Sequence, residues 1–237
     1  FIVAFWGILK AGCVHVPVNP TFRELELAHE LSDADVSLIV TLTSLHPLVQ
    51  AVRSKVPQLK CVITTTLQEQ LPAHPELPVP PNLYDAGNGA PGDFDFYQTL
   101  NSTAHKLTEQ RAGELDELAA LNYTGGTTGL PKGCEHTQRD MLYTAASAVT
   151  FGVGGGDGFV SLVFLPVFWI AGENTTIITP VLSGSTCIML ARWDAATVLQ
   201  AIQQYKIQMM EAVSFTHLTQ PTTSRVKNTV VAVSLKK

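Results

Sequence analysis

Along the first part of the chain, segments with the apolar spacing of a helix alternate with short apolar runs typical of strands. The opening helical pattern is ended by Gly12, and Thr21 with Glu24 has the spacing of a capping box for a second helix. Runs rich in β-branched residues predict strands between the helical segments. The predicted elements are, in order, helix, helix, strand, helix and strand at 1–11, 21–31, 35–41, 45–56 and 59–65. This order predicts the α/β class, with mostly parallel sheets covered by flanking helices.

A change of composition separates this part from the rest of the chain. Residues 71–92 are rich in Pro and Gly, which predicts an irregular surface connection. The apolar residues of 117–124 then predict a buried strand, and Thr137 with Asp140 has capping-box spacing ahead of an apolar helix. The α/β order is therefore expected to continue beyond the connection.

The stretch YTGGTTGLPKG occupies residues 123–133, between that strand and that helix. We therefore expect it to join the end of a strand to the start of a helix. Glycines let backbone N–H groups approach an anion, threonine hydroxyls donate further hydrogen bonds, and lysine supplies a mobile positive charge. These residue types predict a phosphate-binding loop. For Lys132, phosphate contact is favoured over mere solvation because a lysine in a glycine loop has little apolar surface to cover.

Two better-known glycine loops are excluded by position. The Walker pattern needs Gly before its lysine and Ser or Thr after it, whereas Lys132 lies between Pro131 and Gly133. The dinucleotide pattern GxGxxG is absent here and also from GVGGGDG at 152–158. The latter follows a predicted helix, and we interpret it as a flexible turn.

Composition excludes several classes of protein. The 237 residues are 46% hydrophobic and 15% charged, and the formal net charge of −5 argues against nucleic acid as a partner. No stretch reaches the roughly 18 to 20 apolar residues of a transmembrane segment, so a cytoplasmic protein is expected. The four cysteines are scattered without metal-ligand spacing, which favours reduced thiols and predicts no metal site.

The stretch at 123–133 closely resembles the signature loop of the adenylate-forming superfamily, which comprises acyl-CoA synthetases, luciferases and peptide-synthetase adenylation domains. Every fixed position of Tyr-Thr-Ser/Gly-Gly-Thr-Thr-Gly-x-Pro-Lys-Gly is met. Two weaker resemblances occur in the expected order. KAGCVHVPVNP at 10–20 is similar to the upstream Lys-Ala-Gly motif, and LPVFWIAGEN at 165–174 is similar to the acyl-pocket motif.

The resemblance implies a two-step reaction, in which a carboxylic acid attacks ATP to give an acyl-adenylate and the acyl group then passes to coenzyme A. ATP, Mg²⁺ and coenzyme A are the implied cofactors, and a small carboxylic acid is the other implied partner. Lys132 is the implied catalytic residue, and it binds phosphate together with Thr124, Gly125, Gly126, Thr127, Thr128 and Gly129. Trp169 and Gly172 are the implied substrate-binding residues. The implied fold is the N-terminal domain of the adenylate-forming enzymes.

Three interpretations of the function stay open. A piece of an acyl-CoA synthetase for a fatty or aryl acid is favoured, because VFWIAGEN is apolar around its one acid, Glu173. An amino-acid adenylation domain of a peptide synthetase is the second interpretation. A catalytically inactive nucleotide-binding or unfolded fragment is the third. The acid, the thiol acceptor and the oligomeric state have no signature in these residues.

The chain departs from the family pattern at individual positions. Trp169 stands where relatives often have His, and it either gates the acyl pocket or packs the start of a helix. His136 stands where relatives also have histidine, and capping or packing is favoured for it over ligand contact.

The ends of the chain predict a partial domain. The chain starts at Phe1 without Met, and the family's adenine, ribose and magnesium segments and its C-terminal lysine domain are not found. A helix from Asp194 and a strand at 207–213 still fit the family. We therefore expect a partial AMP-binding domain at 1–213 that does not complete the reaction by itself. Residues 214–237 match nothing expected and carry four basic residues and no acid, which suggests that this tail is not native coding sequence.

Overall fold

The computed structural model describes residues 1–80, 91–102, 113–124, 130–152, 155–190 and 193–210. The chain divides into two units, Phe1–Met141 and Leu142–Lys237. The division falls inside a helix of the predicted domain, so the domain at 1–213 stays a prediction. The predicted tail at 214–237 lies outside the described residues.

The first unit contains a parallel sheet in the order β1-β2-β3. Its strands are β1 (Leu38–Leu42), β2 (Cys61–Thr65) and β3 (Phe94–Asp95). β1 and β2 pair along their whole length, from Leu38 opposite Cys61 to Leu42 opposite Thr65. Val62 and Thr64 are buried while their neighbours in β2 are half-buried, which is the period-two pattern of a strand.

The described residues of the first unit include, in chain order, the helices α1 (Ile2–Lys10), α2 (Glu24–Asp33), α3 (His46–Arg53) and α4 (Phe96–Asn101). Leu27 and Leu31 of α2, one helical turn apart, are buried in a core with Val49, Val52 and Val62. Full burial of each such side chain contributes about 1.5–3 kcal/mol relative to exposure. Apolar packing against the sheet therefore fixes α2 firmly in the first unit.

A β-hairpin completes the first unit. β4 (Leu118–Thr124) pairs antiparallel with β5 (Lys132–Thr137), and a bridge links Ala120 to His15. The prediction that the loop joins a strand to a helix is therefore wrong, because the loop joins two strands. The next helix, α5 (Gln138–Thr150), begins only after β5.

The capping box predicted for α5 is confirmed. The Thr137 amide donates to Asp140 Oδ2 at 2.8 Å, and the Asp140 amide donates to Thr137 Oγ1 at 3.1 Å. The same carboxylate accepts the Thr137 hydroxyl at 2.7 Å. These bonds hold the pKa of Asp140 below its usual range.

The second unit contains a parallel sheet in the order β7-β6-β8. Its strands are β6 (Val160–Val163), β7 (Thr186–Met189) and β8 (Met209–Met210). A helical segment runs from α6 (Ile170–Glu173) through a π-helix (Asn174–Ile178) into α7 (Thr179–Ser183). α8 (Ala195–Tyr205) begins one residue after the predicted start at Asp194, and the Asp194 carboxylate caps it by accepting from the Thr197 amide at 2.8 Å.

The predicted α/β class is confirmed, with parallel pairing in both three-stranded sheets. Several predicted boundaries are wrong. α2 starts at Glu24, where the Glu26 carboxylate accepts a hydrogen bond from the Arg23 amide at 3.2 Å, while the Thr21 hydroxyl donates to Asn19 instead of capping the helix. β1 starts three residues late because Asp35 has a φ of 49°, which turns the chain there.

Other boundaries differ by a few residues. Helix α3 starts one residue later than predicted because a 3₁₀ turn, Thr43–Leu45, precedes it, and it ends at Arg53, before the predicted end at 56. Of the predicted connection at 71–92, residues 71–80 have no helix or strand and 81–90 lie outside the described residues. Residues 211–213 of the last predicted strand also lie outside them.

Candidate functional site

Thr124 and Lys132 close the mouth of the predicted phosphate loop. They are opposite each other in the register of the hairpin, and both are exposed. Directly opposed residues of an antiparallel pair project to the same face, with Cβ atoms about 5 Å apart. The register therefore brings one hydroxyl and one ammonium together at the loop. Of the other predicted phosphate ligands, the structure describes none: Gly125, Gly126, Thr127, Thr128 and Gly129 lie outside the described residues.

The charge of Lys132 has no described counterpart. The structure shows no ion pair between Lys132 and another residue of the described ranges. The Thr124 hydroxyl contacts the Lys132 carbonyl oxygen at 3.4 Å, so it is bound to the strand backbone and not to the lysine amine. An exposed ammonium beside a hydroxyl is suited to attract an anion to this end of the hairpin.

Tyr123 and Gly133 form the next pair of the hairpin. A Cβ added at Gly133 would be 3.1 Å from Tyr123 Cζ and 3.3 Å from its hydroxyl oxygen. The aromatic ring therefore lies across the position that a side chain at 133 would occupy. Packing against Tyr123 gives a physical reason for glycine at the last position of the signature loop.

Helix α2 contacts both strands at this end of the hairpin. The Tyr123 hydroxyl donates to Asp33 Oδ2 at 2.6 Å. His29 Nε2 donates to the Pro131 carbonyl oxygen at 2.9 Å, and the His29 ring lies edge-to-face with Tyr123 at 6.5 Å between centroids. Each strand is therefore joined to α2 within one residue of the loop mouth.

Burial changes the acid–base behaviour of two groups near these contacts. Glu30 is 1% exposed, and burial raises its pKa to about 7. Its Oε1 has no hydrogen-bond partner within the described part of the chain. Burial, and secondly the bond to Asp33, raise the pKa of Tyr123 well above its usual range. Tyr123 therefore keeps its proton and acts as a donor at neutral pH.

Trp169 and Gly172, the predicted substrate-binding residues, lie in the second unit. Trp169 is the N-cap of α6, and its ring packs edge-to-face with Phe168 at 5.7 Å. The side chain is 41% exposed. Trp169 therefore packs at the start of a helix, which was one of the two predicted roles. The other role, gating of the acyl pocket by its exposed surface, stays a prediction.

Gly172 is buried for a reason of backbone packing. A Cβ at this position would be 2.2 Å from the Pro166 carbonyl oxygen and 3.1 Å from Val167 Cα. The Trp169 amide donates to the same oxygen at 3.1 Å, so the preceding turn folds against the first turn of α6. The structure thus explains the glycine without a ligand, and contact with substrate stays a prediction.

Buried polar residues follow Gly172. Glu173 is 0% exposed, although the sequence placed it among apolar neighbours in the predicted acyl pocket. Asn174 is also buried and accepts a hydrogen bond from the Thr179 hydroxyl at 2.8 Å. The π-helix that includes Asn174 is a distortion that occurs often at functional sites.

The remaining sequence expectations concern single residues and absences. His136 is half-buried in β5 opposite Ala120, so it packs within the hairpin. The cap of helix α5 is supplied by Thr137 and not by His136. All four cysteines are free thiols. Across the described ranges, no three His, Cys, Asp or Glu side chains form a metal-binding group. No described helix has the length and hydropathy that a membrane crossing requires.

Sequence reasoning missed His29, Asp33 and Tyr123. Tyr123 stood in the recognised loop pattern but received no role. His29 and Asp33 are four residues apart, and this spacing places them on one face of α2. That face was visible in the sequence, whereas its contact with residues about 100 positions away was not.

Comparisons with known proteins agree with the predicted fold and family. A family model described as AMP-binding enzyme matches residues 1–219. A long-chain-fatty-acid–CoA ligase of Bacillus subtilis is 28% identical over 217 residues, which cover 86% of this chain and 38% of the relative. A crotonobetaine/carnitine–CoA ligase of Salmonella paratyphi B is 26% identical over 216 residues, covering 90% and 38%. The chain thus spans about 38% of the length of these curated relatives.

A solved structure shows the same fold. The O-succinylbenzoate coenzyme A synthetase of Bacillus subtilis, in complex with ATP and magnesium ion, superposes with a TM-score of 0.67. It is 21% identical, and the match covers 90% of this chain and 37% of that chain. The family match ends at residue 219, inside the segment separated above as a tail, and the boundary at 213 stays a prediction.

Proposed function

The chain belongs to the AMP-binding enzyme family, and we propose that it carries the phosphate-binding part of an ATP-dependent acid–CoA ligase. The reaction activates a fatty or aryl carboxylic acid as an acyl-adenylate, releases pyrophosphate and transfers the acyl group to coenzyme A. Residues 1–213 are proposed as part of the N-terminal domain. Relatives named as CoA ligases support this proposal over an amino-acid adenylation domain.

The observation that carries the proposal is the pairing of Thr124 with Lys132 at the loop mouth. Because they project from one face of the hairpin, a phosphate placed there meets a hydroxyl donor and a positive charge together. Lys132 balances the negative charge that develops on the departing pyrophosphate. The backbone of Gly125, Gly126 and Gly129 and the hydroxyls of Thr127 and Thr128 are proposed as further phosphate ligands.

A magnesium ion bound with ATP adds positive charge beside the phosphates. We assign no residue of this chain to it, since the described residues offer no cluster of carboxylates at the hairpin. The contribution derived for this chain is therefore limited to binding and orienting the phosphates. Coenzyme A is proposed as the acyl acceptor from the relatives alone.

Trp169 and Gly172 are proposed to border the acid-binding pocket. The exposed side chain of Trp169 offers apolar surface to an alkyl chain or an aryl ring. Gly172 contributes by letting the turn that carries Trp169 approach α6 closely. The peptide-synthetase alternative predicts an aspartate that binds the substrate amine in the segment that follows in that family. Finding such an aspartate would support that alternative instead.

The test is phosphate binding by the 237-residue chain and its Lys132→Ala variant. Inorganic tripolyphosphate and ATP are titrated, and ³¹P NMR line broadening measures weak binding. A hydrogen bond to a charged group is worth about 1.5–3 kcal/mol, so the variant is expected to bind roughly tenfold to a hundredfold more weakly. In the full-length natural protein, the same change is expected to slow acid-dependent ATP–pyrophosphate exchange by a similar factor, with little effect on acid binding.

Lys60→Ala is the matched control, because Lys60 is also an exposed lysine of the first unit. It removes one positive charge without touching the hairpin. Equal loss of binding in both variants would mean that only net charge matters. Unchanged binding in Lys132→Ala would remove Lys132 from the proposed function.

A further inference from the structure

We propose that α2 positions the phosphate-binding end of the hairpin, with His29 and Asp33 acting as positioning residues for Thr124 and Lys132. This inference rests on the proposed function of the hairpin. Neither residue touches the phosphate in this proposal. Both act through the neighbouring residues Tyr123 and Pro131.

The geometry of the two elements makes this arrangement possible. His29 and Asp33 are four residues apart, so they lie just over one helical turn, or roughly 6 Å, from each other along α2. Paired strands are about 4.8 Å apart. Because these spacings are similar, each residue can reach a different strand. Asp33 accepts from Tyr123 of β4, and His29 donates to Pro131, the residue before β5.

Each contact is adjacent in sequence to a proposed phosphate ligand. Tyr123 directly precedes Thr124, and Pro131 directly precedes Lys132. The Pro131 carbonyl belongs to the same planar peptide unit as the Lys132 nitrogen. The bond from His29 at 2.9 Å therefore restrains the orientation of the peptide that leads into Lys132.

The contact between Tyr123 and Asp33 is a strong, charge-assisted hydrogen bond. Its length of 2.6 Å is typical of a hydroxyl that donates to a carboxylate. The raised pKa keeps the phenol protonated at neutral pH. The same ring packs over Gly133, so the bond to Asp33 also fixes the ring against β5.

The other side of α2 supplies the rigidity. Leu27 and Leu31 are buried in the core of the first unit, at 3% and 0% exposure. Because this packing holds α2 in place, its polar contacts restrain the residues they bind more firmly than contacts from an exposed loop would. Through His29 and Asp33, the core of the first unit sets the position of the hairpin end.

The test compares His29→Ala, Tyr123→Phe and the double variant in the full 237-residue chain. Inorganic tripolyphosphate affinity is measured by ³¹P NMR, and residue-resolved amide exchange is measured at Thr124 and Lys132 without ligand. Each single change is expected to weaken binding about threefold to tenfold, which is the effect expected for the loss of one hydrogen bond. Exchange at Thr124 and Lys132 is expected to accelerate, because the end of the hairpin frays more often.

Conservative and control variants separate positioning from general destabilisation. His29→Gln keeps a side-chain donor and is expected to retain most of the affinity. Glu24→Gln breaks the contact of α2 with Lys55 at 3.3 Å, away from the hairpin, and is expected to leave affinity and exchange unchanged. Urea unfolding of every variant shows whether stability changes in parallel.

The outcomes distinguish the two proposals. If Lys132→Ala weakens binding while His29→Ala and Tyr123→Phe bind and exchange as wild type does, the positioning role is overturned and the function stands. If Lys132→Ala binds as the wild-type chain does, or if the wild-type chain binds no phosphate, the proposed function fails. In that case, accelerated exchange in the α2-contact variants but not in Glu24→Gln still supports positioning of the hairpin end, and unchanged exchange overturns it.

Discussion

The hairpin end in the first unit and the start of α6 in the second both contain a glycine of a recognised motif, but the two glycines are packed against different groups. Gly133 faces the ring of Tyr123, which is a side chain, whereas Gly172 faces the backbone carbonyl of Pro166. A side chain can shift by tenths of an ångström, and a backbone carbonyl inside a tight turn cannot. The same letter in two motifs therefore reflects two physical constraints of different strength.

The surroundings of the two glycines differ in the same direction. At the hairpin, Thr124 and Lys132 are exposed and are arranged by strand register and polar contacts with α2. At α6, the two residues that follow Gly172 are buried. Exposed polar groups on a fixed support suit the proposed binding of an ionic ligand at the hairpin end, while the α6 region is constrained chiefly by packing.

The largest effect is expected for Gly172→Ala. The new methyl group would be 2.2 Å from the Pro166 carbonyl oxygen, so the turn or the helix must move. Insertion of a methyl group into a packed interior costs about 1–3 kcal/mol and occasionally more. Because the collision is with backbone, we expect a loss of at least about 3 kcal/mol in the free energy of unfolding, measured by urea denaturation.

Gly156→Ala is the control for this change. It lies in the same unit, and a Cβ there meets nothing within 4 Å. We expect a change of less than about 1 kcal/mol. If Gly172→Ala unfolds at the same urea concentration as Gly156→Ala, the packing explanation for Gly172 is wrong, and contact with substrate becomes the better reason for the glycine.

A second prediction concerns Glu30 of α2, the helix that contacts the hairpin end, and the pH dependence of stability. Burial raises the pKa of Glu30 in the folded chain to about 7, from an ordinary value of 4.5. Between these values the folded chain holds a proton that the unfolded chain has lost, so the free energy of unfolding falls as pH rises. The stabilising contribution is complete below about 4.5 and is lost above about 7.

Glu30→Gln is expected to remove this dependence, because the amide has a similar shape and does not ionise. Each pKa unit corresponds to about 1.4 kcal/mol, so the wild-type chain should lose up to about 3 kcal/mol more than the variant between pH 4.5 and pH 8. Urea denaturation across this range measures the difference. Parallel stability curves for the two proteins would show that Glu30 titrates normally in the folded state.

The sequence predicted those elements that depend on local signals. The Thr137 cap, the start of a helix near Asp194 and the alternation of strands and helices are each encoded within a few neighbouring residues, and the structure confirms them. β5 was missed because Lys132–Thr137 contains Lys, Gly, Glu and His and no apolar alternation. Pairing with β4 makes it a strand, which is a tertiary effect that overrides local propensity.

The candidate site was predictable only in part, for a similar reason. The loop pattern predicted Thr124 and Lys132 as phosphate ligands, which stays a prediction, and strand register explains their proximity. The contacts from His29 and Asp33 join segments about 100 residues apart, and no local pattern encodes such a pairing. The reason for glycine at 172 likewise depends on the backbone at Pro166, which the motif alone does not reveal.

The smallest effect is expected for Gly133→Ala, and it tests how firmly the hairpin end is fixed. Glycine in a strand is ordinarily less stable than alanine by about 0.5–1 kcal/mol, so the change would help in open space. Here the new Cβ would be 3.1 Å from Tyr123 Cζ, and Asp33 holds the ring through its hydroxyl. We therefore expect a net loss of about 1 kcal/mol in the free energy of unfolding.

A double-mutant cycle with Tyr123→Phe decides whether the ring is the cause. Without its hydroxyl the ring is no longer tied to Asp33 and can move away from the added methyl group. Gly133→Ala should then cost less in the Tyr123→Phe chain than in the wild-type chain, by about 0.5 kcal/mol or more. If the cost is the same in both chains, the bond to Asp33 does not fix the ring. The hairpin end would then be as adaptable as an ordinary exposed turn, and its contrast with the backbone collision at Gly172 would be larger still.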